Sequence, residues 1–480
     1  MFKPLHSYNM KRKYAATALL FLLLLVIVTN IYFIYIVVDE KTSKSNEPAK
    51  ETTVELDRQK AQSAKEHQNQ NFQNKDGHKM TRKYYKHQNA SIIAAQQILL
   101  LTQKLPSHYL ELNEQHREIL HRIFYDLTPS SELSSSDVKQ LTDQWVTNEE
   151  IVPESAPLLG SVLKSICNSK ILKARSGRGL GTQLKILLTL EGNMTAIFKP
   201  QWYPREQIIE GPVYAGKDRH NAEVAAFHLG LILGFRKIPL AVGRKINLHR
   251  EVMPVADHEL LETFHQEGNN TCFDGICAYC GPHDPICAKQ DILEGSLILW
   301  LPNKVKLRKI RHPWQRVYKD GKRAKWEADE KFCDYVKSQD IRKIGGLTTL
   351  LDLVDASIFD FLIDNGDRHH FEIFEKQRST MIVMLDNGKS FGNPAIDHID
   401  ILAPLYQCCI LRRTTYERLL LYTGGTLSIA LEKSLQWSHI SPVLTEKHLL
   451  ALDRRLKIIL GAISLCLQKR DENHLPPVLL

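Results

Sequence analysis

The sequence predicts an α+β protein of two unequal parts, a small strand-rich lobe followed by a larger helical lobe, behind a membrane anchor. Three observations lead there. Short apolar runs alternate with turns over residues 170–200, a 3.6-residue apolar period dominates residues 350–467, and a long uncharged apolar run lies near the N-terminus. With 480 residues and 43% apolar content the chain can bury at least one sizeable core, which excludes the disordered and collagen-like classes.

The apolar run comes first. Lys3, Lys11, Arg12 and Lys13 precede "AATALLFLLLLVIVTNIYFIYIVV", residues 15–38, and Asp39 and Glu40 follow it. That length spans a bilayer, and the basic flank keeps residues 1–14 cytosolic and sends the remainder to the lumenal side. A cleaved signal peptide shares the basic start, but its apolar core is shorter and ends in a small-x-small site that is missing here. The reading is therefore a type II signal anchor.

A lumenal remainder makes three sequons, at Asn89, Asn193 and Asn269, accessible to glycosylation. It also decides how the nine cysteines are read, since an oxidising compartment favours disulfides, with one thiol left over. The cluster "CFDGICAYCGPHDPIC" would suggest a zinc knuckle in a cytosolic chain; here compartment weighs toward disulfides.

Residues 39–88 are rich in Lys, Glu, Gln, Asn and Ser and poor in large apolar side chains, the composition of a flexible stem. Residues 89–144 regain helical periodicity, in "IIAAQQILLLTQKL" and "HREILHRIFYDL", with Pro106 between them. Such amphipathic helices pack on the main domain or on a partner, which leaves homo- or heterodimerisation open. The main domain spans residues 145–470, with a short tail at 471–480. It opens with three strand-like runs, "KILKA", "TQLKILLTLEG" and "MTAIFKP", and the turn "SGRGLG" separates the first two. A helix follows in "DRHNAEVAAFHLGLILG", ending near Gly234. Later segments such as "LLDLVDASIFDFLI" and "DRRLKIILGAISLCL" read as helices. This order is the outline of a protein kinase.

Phosphoryl transfer needs a cradle for phosphate, a lysine on it, carboxylates for metal and an acidic group near the acceptor hydroxyl. Gly177, Gly179 and Gly181 supply a turn where bare backbone could approach an anion, though they depart from the kinase glycine pattern. Lys199 ends "TAIFK", like the lysine of a kinase A-I-K strand. Glu223, on the helix that follows, is spaced to reach it, while Asp218 is either a metal ligand or a helix cap. In "DNGDRHHFEIFEKQRSTMIVMLDNGKSFG", Asp367 is followed five residues later by Glu372, where kinases carry Asn. Asp386 follows the strand-like "MIVML" and opens a DNG in place of DFG. His369 and His370 suggest zinc, but adjacent side chains on an extended loop diverge and make poor joint ligands.

At these residues the chain resembles the secretory-pathway kinases that include the Golgi casein kinase and the glycosaminoglycan xylosylkinase. The segments that carry the likeness are "DRHNAEVAAFHL", "EGSLILWLP", "DRHHFE", "LDNGKSFG" and "APLYQCCI", covering about residues 145–470. "EGPVYAGKDRHNAEVAAFHL", "HPWQRVYKDGKRAKWE" and "FGNPAIDHIDILAPLYQCCI" look closest to the xylosylkinase branch. The resemblance implies an atypical kinase-like fold, a Golgi membrane location, and transfer of phosphate from ATP to the 2-hydroxyl of xylose in the linker between glycosaminoglycan chains and core proteins. The protein-kinase branch is the alternative, as is an inactive kinase-fold partner.

Carried over residue by residue, it makes Asp367 the catalytic aspartate. It places Gln183, Lys199, Glu223, Glu372 and Asp386 at the nucleotide, and Ile298, Leu299, Trp300 and Leu301 as the hinge beside adenine. Asp218, Glu372 and Asp386 become metal ligands, for Mn2+ with Mg2+ as the alternative. It also implies the pairs Cys272 with Cys287, Cys277 with Cys280, Cys333 with Cys408 and Cys409 with Cys466, leaving Cys167 as a buried thiol. The net charge of +9 and the basic "NKVKLRKIRHPWQRVYKDGKRAK" would suit nucleic acid, but a lumenal location argues against that partner. The run reads as a solvated surface, or as a patch for nucleotide phosphates or acidic glycan.

Overall fold

The structure, a computed structural model, describes residues 90–107, 114–319, 321–339, 345–375, 381–473 and 478–480. The expected anchor, the stem and the sequon at Asn89 lie outside these residues. Among the described residues no helix is long and apolar enough to cross a membrane.

Four helices come first: α1 (Ala90–Lys104), α2 (Glu114–Leu127), α3 (Ser135–Trp145) and α4 (Leu159–Asn168). The strand-rich part follows with β1 (Ile171–Ser176), β2 (Ile186–Leu190), β3 (Met194–Pro200), α5 (His220–Leu233), β4 (Ala241–Asn247) and the short α6 (His258–Leu261). Next come β5 (Phe264–Glu267), β6 (Asn270–Phe273), β7 (Ile286–Cys287), β8 (Ile292–Leu299) and β9 (Leu307–Arg311). The helical part contains α7 (Lys325–Ala328), α8 (Phe332–Gln339), α9 (Leu347–Ile363), β10 (His370–Phe374), α10 (Ala403–Cys408), α11 (Arg413–Leu421), α12 (Thr426–Leu435) and α13 (Glu446–Asn473).

Five antiparallel strands form the main sheet in the order β1-β2-β3-β8-β4, so β3 and β8 sit in its middle. Alternation within β2 explains the arrangement: Ile186, Leu188 and Leu190 are buried while Leu187 and Thr189 are half-buried. α5 packs on this sheet, and every one of its residues is buried. A helix buried on all sides needs no polar stripe, which is why "AEVAAFHLGLIL" is apolar apart from Glu223 and His228. Gly234 ends it in the left-handed conformation (φ 76°), its N–H returning to the Leu231 carbonyl.

α9 is the central helix of the second part, buried from Thr349 to Ile363. It stops at Asp364 (φ 58°), and the Asn365 N–H turns back to the Asp360 carbonyl at 2.7 Å, which delivers the chain to Asp367. The run "MIVML" departs from the strand expected there, since Val383 makes a single bridge to Glu372. The N–H groups of Met381, Ile382 and Met384 instead donate to the Asn148 carbonyl, Asp352 Oδ2 and the Lys237 carbonyl. The segment is buried and satisfied, but by partners scattered across the fold.

The N-terminal helices pack on this same body. Gly461 of α13 lets α1 approach so closely that a Cβ there would meet Thr102 Oγ1 at 2.2 Å. Four disulfides join Cys272 to Cys287, Cys277 to Cys280, Cys333 to Cys408 and Cys409 to Cys466. The last two close loops with sequence separations of 75 and 57, and in the chain-entropy account each stabilises the fold by about 4 kcal/mol. Cys167 is the free thiol; burial pushes its pKa up to about 11. His265, Glu267 and Cys272 cluster, but the Cys272 sulfur is bonded to Cys287 and is no metal ligand. Asn193 and Asn269 are both exposed.

Candidate active site

β3 and α5 bring the first half of the site together. Lys199, near the end of β3, places its Nζ 2.8 Å from Asp218, 2.7 Å from Glu223 and 2.6 Å from Asp386. Lys199, Asp218 and Glu223 are almost wholly buried, so their charges interact through a poorly screened medium. Burial alone would lower the lysine's pKa, but the three carboxylates hold it well above the usual range. Burial raises that of Glu223, with Lys199 opposing it. Asp218 is not a helix cap, because the N-cap of α5 is Arg219. The Arg219 N–H donates to the Gly388 carbonyl and its guanidinium to the carbonyls of Lys389 and Ser390, which fixes the start of α5 against the turn after Asp386.

The second half comes from the end of α9 and from β10. The Asp367 backbone N–H donates to Asn365 Oδ1 at 3.2 Å, and the Asp367 Oδ1 accepts from the Tyr318 hydroxyl at 2.5 Å. Burial raises the Asp367 pKa above the usual carboxylate range, with the Tyr318 bond opposing. Glu372 sits on β10 opposite Lys309 of β9, and burial raises its pKa too. His369 Nδ1 lies 2.7 Å from the Asp367 carbonyl and holds the loop. The two histidine rings do not diverge as expected; their centroids are 4.6 Å apart.

The DNG turn closes the cleft. Asp386 has a positive φ (56°), and its side chain is 70% exposed toward the cleft although protein surrounds it. Lys199 above all holds its pKa well below the usual range. Asn387 is buried; its N–H donates to Glu223 Oε1 at 3.0 Å and its Oδ1 accepts from Arg368 at 2.8 Å. Arg368 also forks onto Asp360 at 2.5 and 2.7 Å. Gly388 has a steric reason: a Cβ there would lie 2.7 Å from the Asp218 carboxyl carbon.

On the nucleotide side, Gly179 and Gly181 have φ of 81° and 100° in the turn between β1 and β2. Gln183 is half-buried in that turn, and Lys185, two residues on, donates to the Leu180 carbonyl at 2.7 Å. Leu299 ends β8, and the Trp300 N–H donates to the Thr195 carbonyl. Asp218, Glu372 and Asp386 offer oxygen donors only, as a hard divalent cation requires, and Lys199 already rests as a cation between two of them.

Sequence reasoning missed Lys185, Tyr318, Arg368 and Asn387. Of these, Lys185 carried a signal, a lysine at the edge of an otherwise apolar run. Tyr318 came from a segment 49 residues away in sequence from the aspartate it touches, and no local pattern announces such a contact.

The raised pKa of Asp367 has a measurable consequence. A group that must be ionised to accept a proton is active above its pKa and is lost as pH falls through it. With Asp367 as the base expected from the sequence, kcat/KM is expected to begin falling at a pH above the ordinary aspartate range; a profile flat down to about pH 4 would contradict this.

A strand-rich part, a helical part and a cleft of acids around one lysine is how kinase-type phosphotransferases are built, and the chain has that fold. It belongs to the Fam20 family: the family described as Golgi casein kinase, C-terminal, Fam20, matches residues 138–475. The human glycosaminoglycan xylosylkinase is 47% identical over 359 residues, 74% of this chain and 87% of that one. The structure of hydra Fam20 with sugar aligns with a TM-score of 0.68 at 43% identity, covering 73% of this chain and 99% of that one. The Golgi casein kinase with Mn/ADP bound aligns at 0.66 and 31% identity, covering 77% and 94%.

Proposed function

We propose that this chain is an ATP-dependent sugar kinase that phosphorylates the 2-hydroxyl of xylose in the glycosaminoglycan–protein linker. The observation that carries the reading is the convergence of Asp367, Asp386, Asp218, Glu223 and Lys199 on one cleft, in a chain so similar to a xylosylkinase. Asp367 orients the xylose hydroxyl and accepts its proton as the oxygen attacks the γ-phosphorus, and ADP departs. Lys199, positioned by Glu223, steadies the phosphates, and Gln183 and residues 298–301 hold the nucleotide. Asp218, Glu372 and Asp386 hold Mn2+, or Mg2+ in its place, which when bound neutralises phosphate charge.

The surroundings follow from the same reading. Residues 15–38 anchor the chain in the Golgi membrane as a type II protein, residues 39–88 form the stem, and 145–470 are the catalytic domain in the lumen, with Asn89, Asn193 and Asn269 as glycosylation sites. The helices of 89–144 are the segment through which a homo- or heterodimer would form.

The test offers the purified chain ATP and Mn2+ with either a galactosyl-xyloside or a serine-containing casein peptide. Phosphate is expected on the sugar alone. Transfer to peptide and not sugar would replace this reading with a protein kinase, and transfer to neither would favour an inactive kinase-fold partner.

A further inference from the structure

We infer that the cationic face beside Asp367 binds an acidic peptide, namely the acceptor's own polypeptide next to its xylosylated residue; this rests on the xylose reading above. Residues 303–325 contain ten Lys or Arg and a single Asp, an excess of nine that equals the net charge of the whole chain. The remaining residues therefore balance. A surface that only needed solubility would mix the two signs, so concentrating the entire excess in one segment points to an anionic partner.

That segment also borders the acceptor side of the cleft. Arg311 of β9 lies opposite His370, three residues beyond Asp367, and its charge is felt by that histidine. Lys319 directly follows Tyr318, whose hydroxyl meets Asp367, and Lys322 lies in the next turn. All three cations are exposed, and none forms an ion pair among the described residues. Lys309, by contrast, faces Glu372 across the strand pair.

Chemistry chooses the peptide over a distant glycan. The 2-hydroxyl of xylose is borne by the carbon adjoining C1, and C1 carries the bond to the polypeptide. When that hydroxyl reaches Asp367, the peptide must pass directly beside it, where Arg311, Lys319 and Lys322 stand. Acidic residues flanking the xylosylated position would meet these charges and lower KM, while the chemical step stays the same.

The full chain tests this with three acceptors: a galactosyl-xylosyl serine within a Glu-flanked peptide, the same within a Gln-flanked peptide, and a peptide-free galactosyl-xyloside. The acidic flanks are expected to lower KM about fivefold at low salt, with kcat unchanged and the gap closing at about 0.5 M salt. The double variant Arg311→Gln with Lys322→Gln is expected to erase the gap and leave KM for ATP and for the peptide-free sugar unchanged. Equal KM values for the two peptides in the native chain would overturn the inference, as would a gap that survives in the double variant. Competition by a sulfated oligosaccharide, with no effect of the flanks, would reassign the face to glycan. No transfer to any sugar acceptor would sink the xylose reading itself, a result distinct from equal KM values.

Discussion

Replacing Asp367 or Asp386 by Ala is expected to reduce phosphate transfer by about a hundred- to ten-thousandfold while leaving the fold intact. Asp367 is proposed as the acceptor's proton partner, and removing a positioned base typically costs on the order of 10²- to 10⁴-fold. Asp386 is paired with Lys199, and in the proposed role its loss would remove a metal oxygen as well. Neither carboxylate is part of the apolar core, and Asp386 is largely open to the cleft. Transfer to galactosyl-xyloside and a thermal melt, run side by side, check both statements; near-normal turnover in either variant would refute its assigned role.

Lys199→Met is expected to abolish transfer and to destabilise the chain by about 3 kcal/mol. The buried ammonium is the shared partner of Asp218, Glu223 and Asp386, and without it two buried carboxylates face each other uncompensated. Part of this loss should be recoverable, because a divalent cation can occupy the same acidic pocket. Mn2+ is accordingly expected to raise the melting temperature of Lys199→Met by more than it raises that of the native chain, each measured against EDTA. Equal increments would show that the three acids do not form a cation site.

Much of this was readable from the sequence because the elements announce themselves locally. The strand "MTAIFKP" alternates and falls on β3, and the apolar helix before Gly234 ends where a left-handed glycine must end it. The Lys199–Glu223 contact followed from strand and helix order, and the structure brings the two within 2.7 Å. What stayed hidden depends on partners distant in sequence. "MIVML" has the composition of a strand, but its N–H groups find Asn148, Asp352 and Lys237, positions no window of neighbours contains. The histidine rings lie closer together than divergence on an extended loop implies, and His369 holds the loop through the Asp367 carbonyl. Tyr318 was passed over as one aromatic within a basic run.

Asn387 bears on how such an enzyme could be governed. Where a kinase carries an apolar residue after its metal-binding Asp, that side chain can slide between two greasy pockets and so act as a toggle. Here that position is a buried Asn whose backbone N–H donates to Glu223 and whose side-chain oxygen accepts from Arg368, so hydrogen bonds fix a polar side chain where an apolar toggle would sit. Glu223 is thus held from two sides, by Lys199 and by the turn after Asp386. Throughput would then be set by the arrival of nucleotide and acceptor, with the enzyme itself always on.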